Sequence, residues 1–380
     1  MEAANISPEE KNLIDAAVSW LQAKLPASWS AATSSQTISA PNQAQPAQVD
    51  AIINLGTPQG GSSTLIVEAR RSLTPRDADE LVSGGLSRRL RRLNPNNPIL
   101  VIAPWLSART REMLTADDIN FLDLTGNARI ALSYPPLFIN SEGATRNPAP
   151  TPRGAARLRG PRAARLFRLL ADVAPPYGVT QIASVTGLAP GYVSRLLETL
   201  DQEALIERSR RGQVVATDVS DLLRRWADTY DVFRSNDSSS FVAPQGPSDV
   251  VERVAASATS PSVAVTGSFA AVRLAPVAAP ALFVAYCKDV EAFADEFQLL
   301  PADRGSNVIL LRPFDEVVWE RTISSGGLTY TAASQTAVDC LTGNGRMPAE
   351  GEALLTWMQE NEVLWRIPSL DQLLRQKGTS

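Results

Sequence analysis

Histidine is absent from this 380-residue chain. Without imidazole there is no Ser-His-Asp or Cys-His nucleophile, no His-ligated zinc site and no imidazole switch near neutral pH. Cysteine is scarce. Cys287 and Cys340 are too few and too far apart for a disulfide framework or a metal knuckle, which suits a reducing compartment. Long apolar runs are missing as well, none approaching the ~20 residues that span a bilayer, so no membrane partner is expected. The opening MEAANISPEEKNLIDAAVSW carries acids where a secretory signal needs a basic start, so a soluble cytoplasmic protein is expected. What is present is ordinary globular chemistry, 44% hydrophobic and 20% charged. The length suggests two or three domains.

The net charge of −4 hides a segregation along the chain. Residues 153–211 hold 10 arginines against 5 acids, whereas residues 241–380 hold 10 basic and 16 acidic side chains. A basic middle is the part suited to a polyanionic partner. Residues 142–163, mixing Pro, Gly, Ala and Arg, read as a basic linker, and the Ser/Pro-rich residues 235–249 as a second one. The expected domains are therefore 1–141, 164–234 and 250–380.

In the first block, Ser7-Pro8-Glu9-Glu10 predicts a helix start, with Ile14, Ala17, Val18 and Leu21 on one face. VDAIINL (49–55) and TLIVEA (64–69) flank a turn-rich GTPQGGSS and read as paired strands. Thr74-Pro75 opens a helix through Leu93, Ile99–Ala103 is a buried strand, and Ser107 caps a further helix. INFLDL and ARIAL are short strands around Thr125-Gly126-Asn127. An α/β domain with a mixed sheet follows.

Asp50 on the earlier strand and Glu68-Ala69-Arg70 on the later one could grip a divalent ion with a cation beside it, since alternation puts Glu68 and Arg70 on one face. The pattern resembles the PD-(D/E)XK restriction-endonuclease-like fold, whose helix–strand–strand–strand–helix–strand order also fits. That family has Lys in the third position. Arg70 stays charged and is a poor proton acceptor, so a nuclease-like domain that does not cut is expected, with Mg²⁺ only if the site is active. Ion pairing that merely holds the sheet edge is the plainer role for these residues. Arg88, Arg89, Arg91 and Arg92 on the next helix form either a solvated face or a phosphate contact.

The middle block carries the clearest pattern. ARLFRLLADV (164–173) is helical, TQIASV (180–185) follows as a short helix, and Thr186-Gly187-Leu188 makes a tight turn. A third helix begins at Pro190. Val193, Leu196, Leu197 and Leu200 share its apolar face, leaving Tyr192, Ser194, Arg195 and Thr199 for the major groove. Two strands, 205–208 and 213–217, then surround Ser209-Arg210-Arg211-Gly212 as a wing aimed at phosphate or the minor groove. Arg208, Arg210 and Arg211, with Arg153, Arg157, Arg159, Arg162, Arg165 and Arg168 upstream, favour duplex DNA over a purely protein-binding winged helix.

In the third block, VAVTGSFAAVRL has the Gly-Ser pair of a nucleotidyltransferase, but the following ALFVAYC lacks the acids that would hold Mg²⁺. A helix within LTYTAASQTAVDCLTGNGRMPAEGEALLTWMQ, broken at Gly343-Asn344-Gly345-Arg346 and restarting from Glu350 to Met358, completes an acidic α/β domain. Taken together, TLIVEARRSLTPRD, INFLDLTGNARIAL, the winged helix, LLRRWADTY and VDCLTGNGRMPAEGEALL make the chain resemble AbiEi-type antitoxin regulators of type IV toxin–antitoxin systems over nearly all of residues 48–360. The resemblance implies a bacterial autorepressor that binds its own operator; no cofactor is expected. It also implies a nucleotidyltransferase-like toxin as a genetic rather than a physical partner. A homodimer and nucleoid association when bound to DNA are expected. The alternative is a metal-dependent DNA nuclease targeted by the winged helix, for instance in phage defence.

Overall fold

The computed structural model describes residues 7–34, 49–83, 98–145, 147–148, 158–257 and 263–378. They form two compact units, one from the chain up to residue 155 and one from residue 156 onward, residues 202–204 excepted.

The first unit opens with α1 (Pro8–Lys24), where Ser7 and Glu10 exchange side-chain and backbone hydrogen bonds in a capping box. Its sheet runs in chain order: β1 (Ser30–Ser34), β2 (Ala51–Gly56), β3 (Ser62–Ala69), β4 (Ile99–Ala103), β5 (Asn120–Asp123), β6 (Ala128–Leu132) and β7 (Leu137–Ser141). β3, β4 and β5 are parallel, and the other neighbours are antiparallel. Alternation along β3 divides the core. Leu65, Val67 and Ala69 pack with Leu13, Ile14, Ala17 and Leu21 of α1. Ile66 packs on the other face, with Leu81 of α2 (Pro75–Ser83) and Leu114 of α3 (Ala108–Ala116). The mixed sheet with helices is the expected one. β1 was not foreseen, because Ser-Ala-Ala-Thr-Ser has no large apolar residue. Its ladder to β2 is made by backbone groups. The arginines at 88, 89, 91 and 92 lie outside the described residues.

The LTGN segment has a structural reason for its residues. The fully buried Asp123 carboxylate accepts from the backbone N–H groups of Leu106, Thr125 and Asn127 and from the Thr125 and Asn127 side chains. Gly126 takes φ +102, which favours glycine.

The second unit joins a winged helix to a sheet ordered β13-β10-β14-β12-β11-β16-β15. These strands are β10 (Asp237–Val242), β11 (Val263–Thr266), β12 (Phe283–Cys287), β13 (Leu300–Pro301), β14 (Val308–Arg312), β15 (Ile323–Ser325) and β16 (Leu328–Tyr330). One face carries Val263, Val265, Phe283, Ala285, Val308 and Leu310 beneath the helices at Pro247–Ala256 and Val290–Glu296. The opposite face carries Ala264, Val284, Tyr286 and Leu311, and these belong to the same core as the winged helix.

Two expectations are corrected here. The stretch expected as the 235–249 linker contains β10, held between β13 and β14. Its serines are mostly solvent-facing, so composition resembles a linker while the backbone pairs. The boundary drawn there also does not separate two cores. Phe167 stacks on Trp226 at 5.8 Å, Trp226 meets Tyr230, and Tyr230 meets Phe314. Periodicity marks an apolar face but not what covers it.

Candidate nucleic-acid interface

Three helices build the interface: α4 (Pro161–Asp172), α5 (Val179–Thr186) and α6 (Pro190–Gln202). α5 ends at Gly187, whose φ of +68 reverses the chain within a residue. Val193, Leu196, Leu197 and Leu200 of α6 are fully buried. The other face leaves Gly191 and Arg195 exposed and Ser194 and Thr199 half-buried. Tyr192 is half-buried, packed against the core, while the Thr199 hydroxyl donates to the Arg195 carbonyl at 3.1 Å. The wing strands β8 (Ile206–Arg208) and β9 (Val214–Thr217) are antiparallel, and Tyr177 bridges to Val214 as a third extended segment. At the tip, Ser209 and Gln213 pair through the backbone and Gly212 takes φ +81. The helix, turn, helix and wing are all where the spacing put them.

Residues 161–210 match the IclR helix-turn-helix domain. The match supports a DNA-binding transcriptional regulator, with DNA as partner. No curated protein and no solved structure matches the chain. No helix among the described residues is long and apolar enough to cross a membrane.

In and around the matched segment the arginines divide sharply. Arg159, Arg162, Arg195, Arg210 and Arg211 are exposed and make no ion pair among the described residues. Elsewhere in the unit Arg224 holds Asp221 and Glu352, Arg253 holds Asp249, and Arg312 holds Asp237 and Glu291. Arg304 and Arg346 are also exposed without an ion pair among the described residues, but five such arginines gather around the recognition helix and wing, which is the distribution a phosphate backbone attracts. Arg208 is spent locally, its Nε and Nη2 both donating to the Gly212 carbonyl at 3.3 Å, and so shapes the wing. Arg153 and Arg157 lie outside the described residues.

Arg168 does not belong in the DNA-facing set. Its side chain is 1% exposed and donates to Asp172, to the carbonyls of Val317 and Glu320, and to Gln335. Burial pulls its pKa down to about 10, with acids around it opposing the shift, so it stays charged at neutral pH. Arg165 is held by Asp315 through Nε at 3.1 Å and Nη2 at 2.9 Å. Helical spacing shows the Arg168–Asp172 pair four residues apart, but gives no sign of the attachments to Val317 and Asp315, which lie 149 and 150 positions downstream.

In the first unit, Asp50 immediately precedes β2 and its carboxylate accepts from the Ala69 N–H at 2.8 Å. Glu68 is buried and ion-paired with Arg70 on the same face. The structure does bring all three together. Burial raises the pKa of Asp50, and burial followed by the nearby Asp50 charge pushes Glu68 up to about 7 despite Arg70. A Mg²⁺ site prefers an octahedron of oxygens. Here two carboxylates share their space with a guanidinium already seated on one of them, and among the described residues no three Asp, Glu, Cys or His side chains form a metal-holding group. The residues fit an internal ion pair better than a hydrated divalent ion.

The Gly267-Ser268 pair is structural too: the Ser268 hydroxyl donates to buried Glu350 at 2.5 Å. Asp339, in the VDCLTGNGR segment, is fully buried and accepts from Thr266, Tyr230, Tyr286 and Gln335. Burial raises its pKa to about 6 against those hydrogen bonds. Sequence reading had no signal for this polar cluster, which joins four separate elements.

Proposed function

We propose that the protein is a sequence-specific repressor of transcription that binds double-stranded DNA at its own promoter, as the AbiEi-type antitoxins it resembles do. The observation that carries this reading is the recognition helix with Arg195 and Ser194 presented outward, flanked by unpaired arginines at 159, 162, 210 and 211. Arginine and serine reach base edges by hydrogen bonds, whereas wing and helix-flanking arginines grip phosphate and set the register. Repression then follows from occupying promoter DNA and requires no cofactor. A nucleotidyltransferase-like toxin is the genetic partner in this reading, the working form is a homodimer, and the protein resides in the cytoplasm on the nucleoid.

The first unit is proposed to bind or scaffold without cutting. Its Asp50, Glu68 and Arg70 resemble the two-carboxylate-plus-cation pattern of a nuclease, but Arg70 cannot accept a proton and is already ion-paired with Glu68. Mapping the sites the protein occupies across its host genome tests the regulatory reading. Enrichment over its own promoter supports it; occupancy without any shared sequence would refute sequence-specific repression.

A further inference from the structure

A cleft of about 570 Å³ lies on the second unit between the start of α4 and the start of α6. Arg159, Arg162 and Arg165 line it together with Gly187, Leu188 and Tyr192, and no carboxylate does. Arg159 and Arg162 are exposed and unpaired among the described residues. Arg165 is placed differently. Its Nη1 lies 4.0 Å from where a Cβ on Gly187 would sit, so this end reaches the turn, while Nε and Nη2 hold Asp315. Arg165 also lines a second cleft of about 250 Å³ whose walls include Asp315, Glu316 and Glu320. One guanidinium thus separates a cationic cleft on the helix-turn-helix from an acidic one on the C-terminal part of the unit. The Asp315 side chain is 6% exposed, so the pair is partly withdrawn from solvent and its geometry is fixed.

We propose that the arginine cleft seats a phosphate of the bound duplex, and that Asp315, by holding Arg165, limits how strongly the cleft grips it. The proposal rests on the DNA-binding reading of α6. Planar guanidinium groups in a concave, acid-free site match a phosphodiester. A phosphate fixed beside Tyr192 orients the beginning of the recognition helix in the groove. The C-terminal part of the unit thereby acquires a handle on DNA affinity without touching DNA.

The test uses full-length protein and a random-sequence duplex, followed by fluorescence anisotropy between 50 and 200 mM salt. Each neutralised phosphate contributes about 0.9 to the slope of log affinity against log salt. R159A/R162A should flatten the slope by ~0.9–1.8, as one or two phosphates cease to be neutralised. D315N should steepen the salt dependence, making affinity fall roughly 3.5-fold further over that range, the increment of one additional phosphate. Asn still caps the Val317 N–H that Asp315 now holds at 2.9 Å, so folding is preserved. E316Q removes the same charge one residue away and should leave the slope unchanged. R165A/D315N should abolish the D315N gain. An R159A/R162A slope equal to wild type, or D315N indistinguishable from E316Q, overturns the proposal. If the duplex slope is unchanged but R159A/R162A loses binding of inorganic pyrophosphate, the cleft serves a free anion and the DNA assignment falls. Failure of the folded wild type to bind any duplex would instead overturn the regulatory reading. A slope that flattens in R210A/R211A alone leaves that reading standing and removes only the cleft.

Discussion

Replacing Arg168 with Ala separates two kinds of arginine in this protein. The side chain is 1% exposed and donates from Nε to Asp172 at 3.1 Å, from Nη1 to Val317 O at 2.9 Å and Gln335 Oε1 at 3.1 Å, and from Nη2 to Glu320 O at 2.8 Å. Alanine removes the donor of Gln335 Oε1 and the Glu320 carbonyl, leaves the Val317 carbonyl only the Glu320 N–H at 3.1 Å, and opens a void beneath them. Asp172 keeps Arg321 at 3.0 Å and the Ser334 hydroxyl, so it is not wholly abandoned. Breaking a buried ion pair from one side costs roughly 3–5 kcal/mol. With a urea m-value of ~1–3 kcal/mol/M, the midpoint should fall by a molar or more. The Trp226 ring, stacked on Phe167, reports on the same core, so tryptophan fluorescence in a urea titration is the assay. R168K should recover little, because an ammonium cannot span Asp172, Gln335 and two carbonyls in one plane. Measured at a denaturant concentration where it stays folded, R168A should bind DNA with the wild-type salt slope. A variant as stable as wild type but with a slope ~0.9 shallower would refute the structural role and return Arg168 to the DNA face.

Arg195→Ala should relax sequence preference by roughly 1–3 kcal/mol while changing random-duplex affinity less, measured by competition binding; equal losses on both would assign it to phosphate. Arg210→Ala with Arg211→Ala should flatten the salt slope by somewhat under two units (~1.8) and weaken specific and random DNA alike. Plasmid incubated with Mg²⁺ or Mn²⁺ should remain intact, and Asp50→Ala should leave repression unchanged; cleavage that Glu68→Ala abolishes would favour the nuclease reading. Glu68, facing Asp50, Arg70 and Glu10, has a folded pKa raised from 4.5 to about 7. Its stabilising contribution is therefore complete below pH 4.5 and lost as pH rises through 7, a total of about 3 kcal/mol. Urea midpoints of Glu68→Gln at pH ~5.5 and ~8 should differ less than those of wild type.

Local chemistry was legible wherever it decided the structure. Ser7 to Glu10 announced α1, Gly187 the turn and Gly212 the wing, because each element needs those residues at those backbone angles. The alternation in VDAIINL and TLIVEA marked two strands that pair in register, with Glu68 on the second, while Asp50 sits one residue ahead of the first rather than on it. What escaped was set by distant partners. β10 consists mainly of Ser and Asp on its exposed side and is a strand only because β13 and β14 are beside it. Arg165 and Arg168 read as two more basic charges in a basic stretch. Their different fates depend on residues 315–335, which no local window contains. Charge counting thus pointed to the stretch that matches a helix-turn-helix domain, but counted as exposed two arginines, Arg165 and Arg168, whose side chains are engaged within the fold.

The core shared between the winged helix and the C-terminal sheet constrains how the DNA-reading surface can be re-engineered. Val193, Leu196, Leu197 and Leu200 point into an assembly that includes Tyr286, Ala337 and Met358, so exchanging the whole module for another would leave half of that assembly facing side chains of the wrong volume. The exposed positions of α6 are free of this constraint. Altered target preference should accordingly be sought by grafting residues at 191, 194, 195 and 198 onto the existing helix, with its inward face untouched. A chimera cut at residues 158 and 234 would alter recognition and the stability of the host body together.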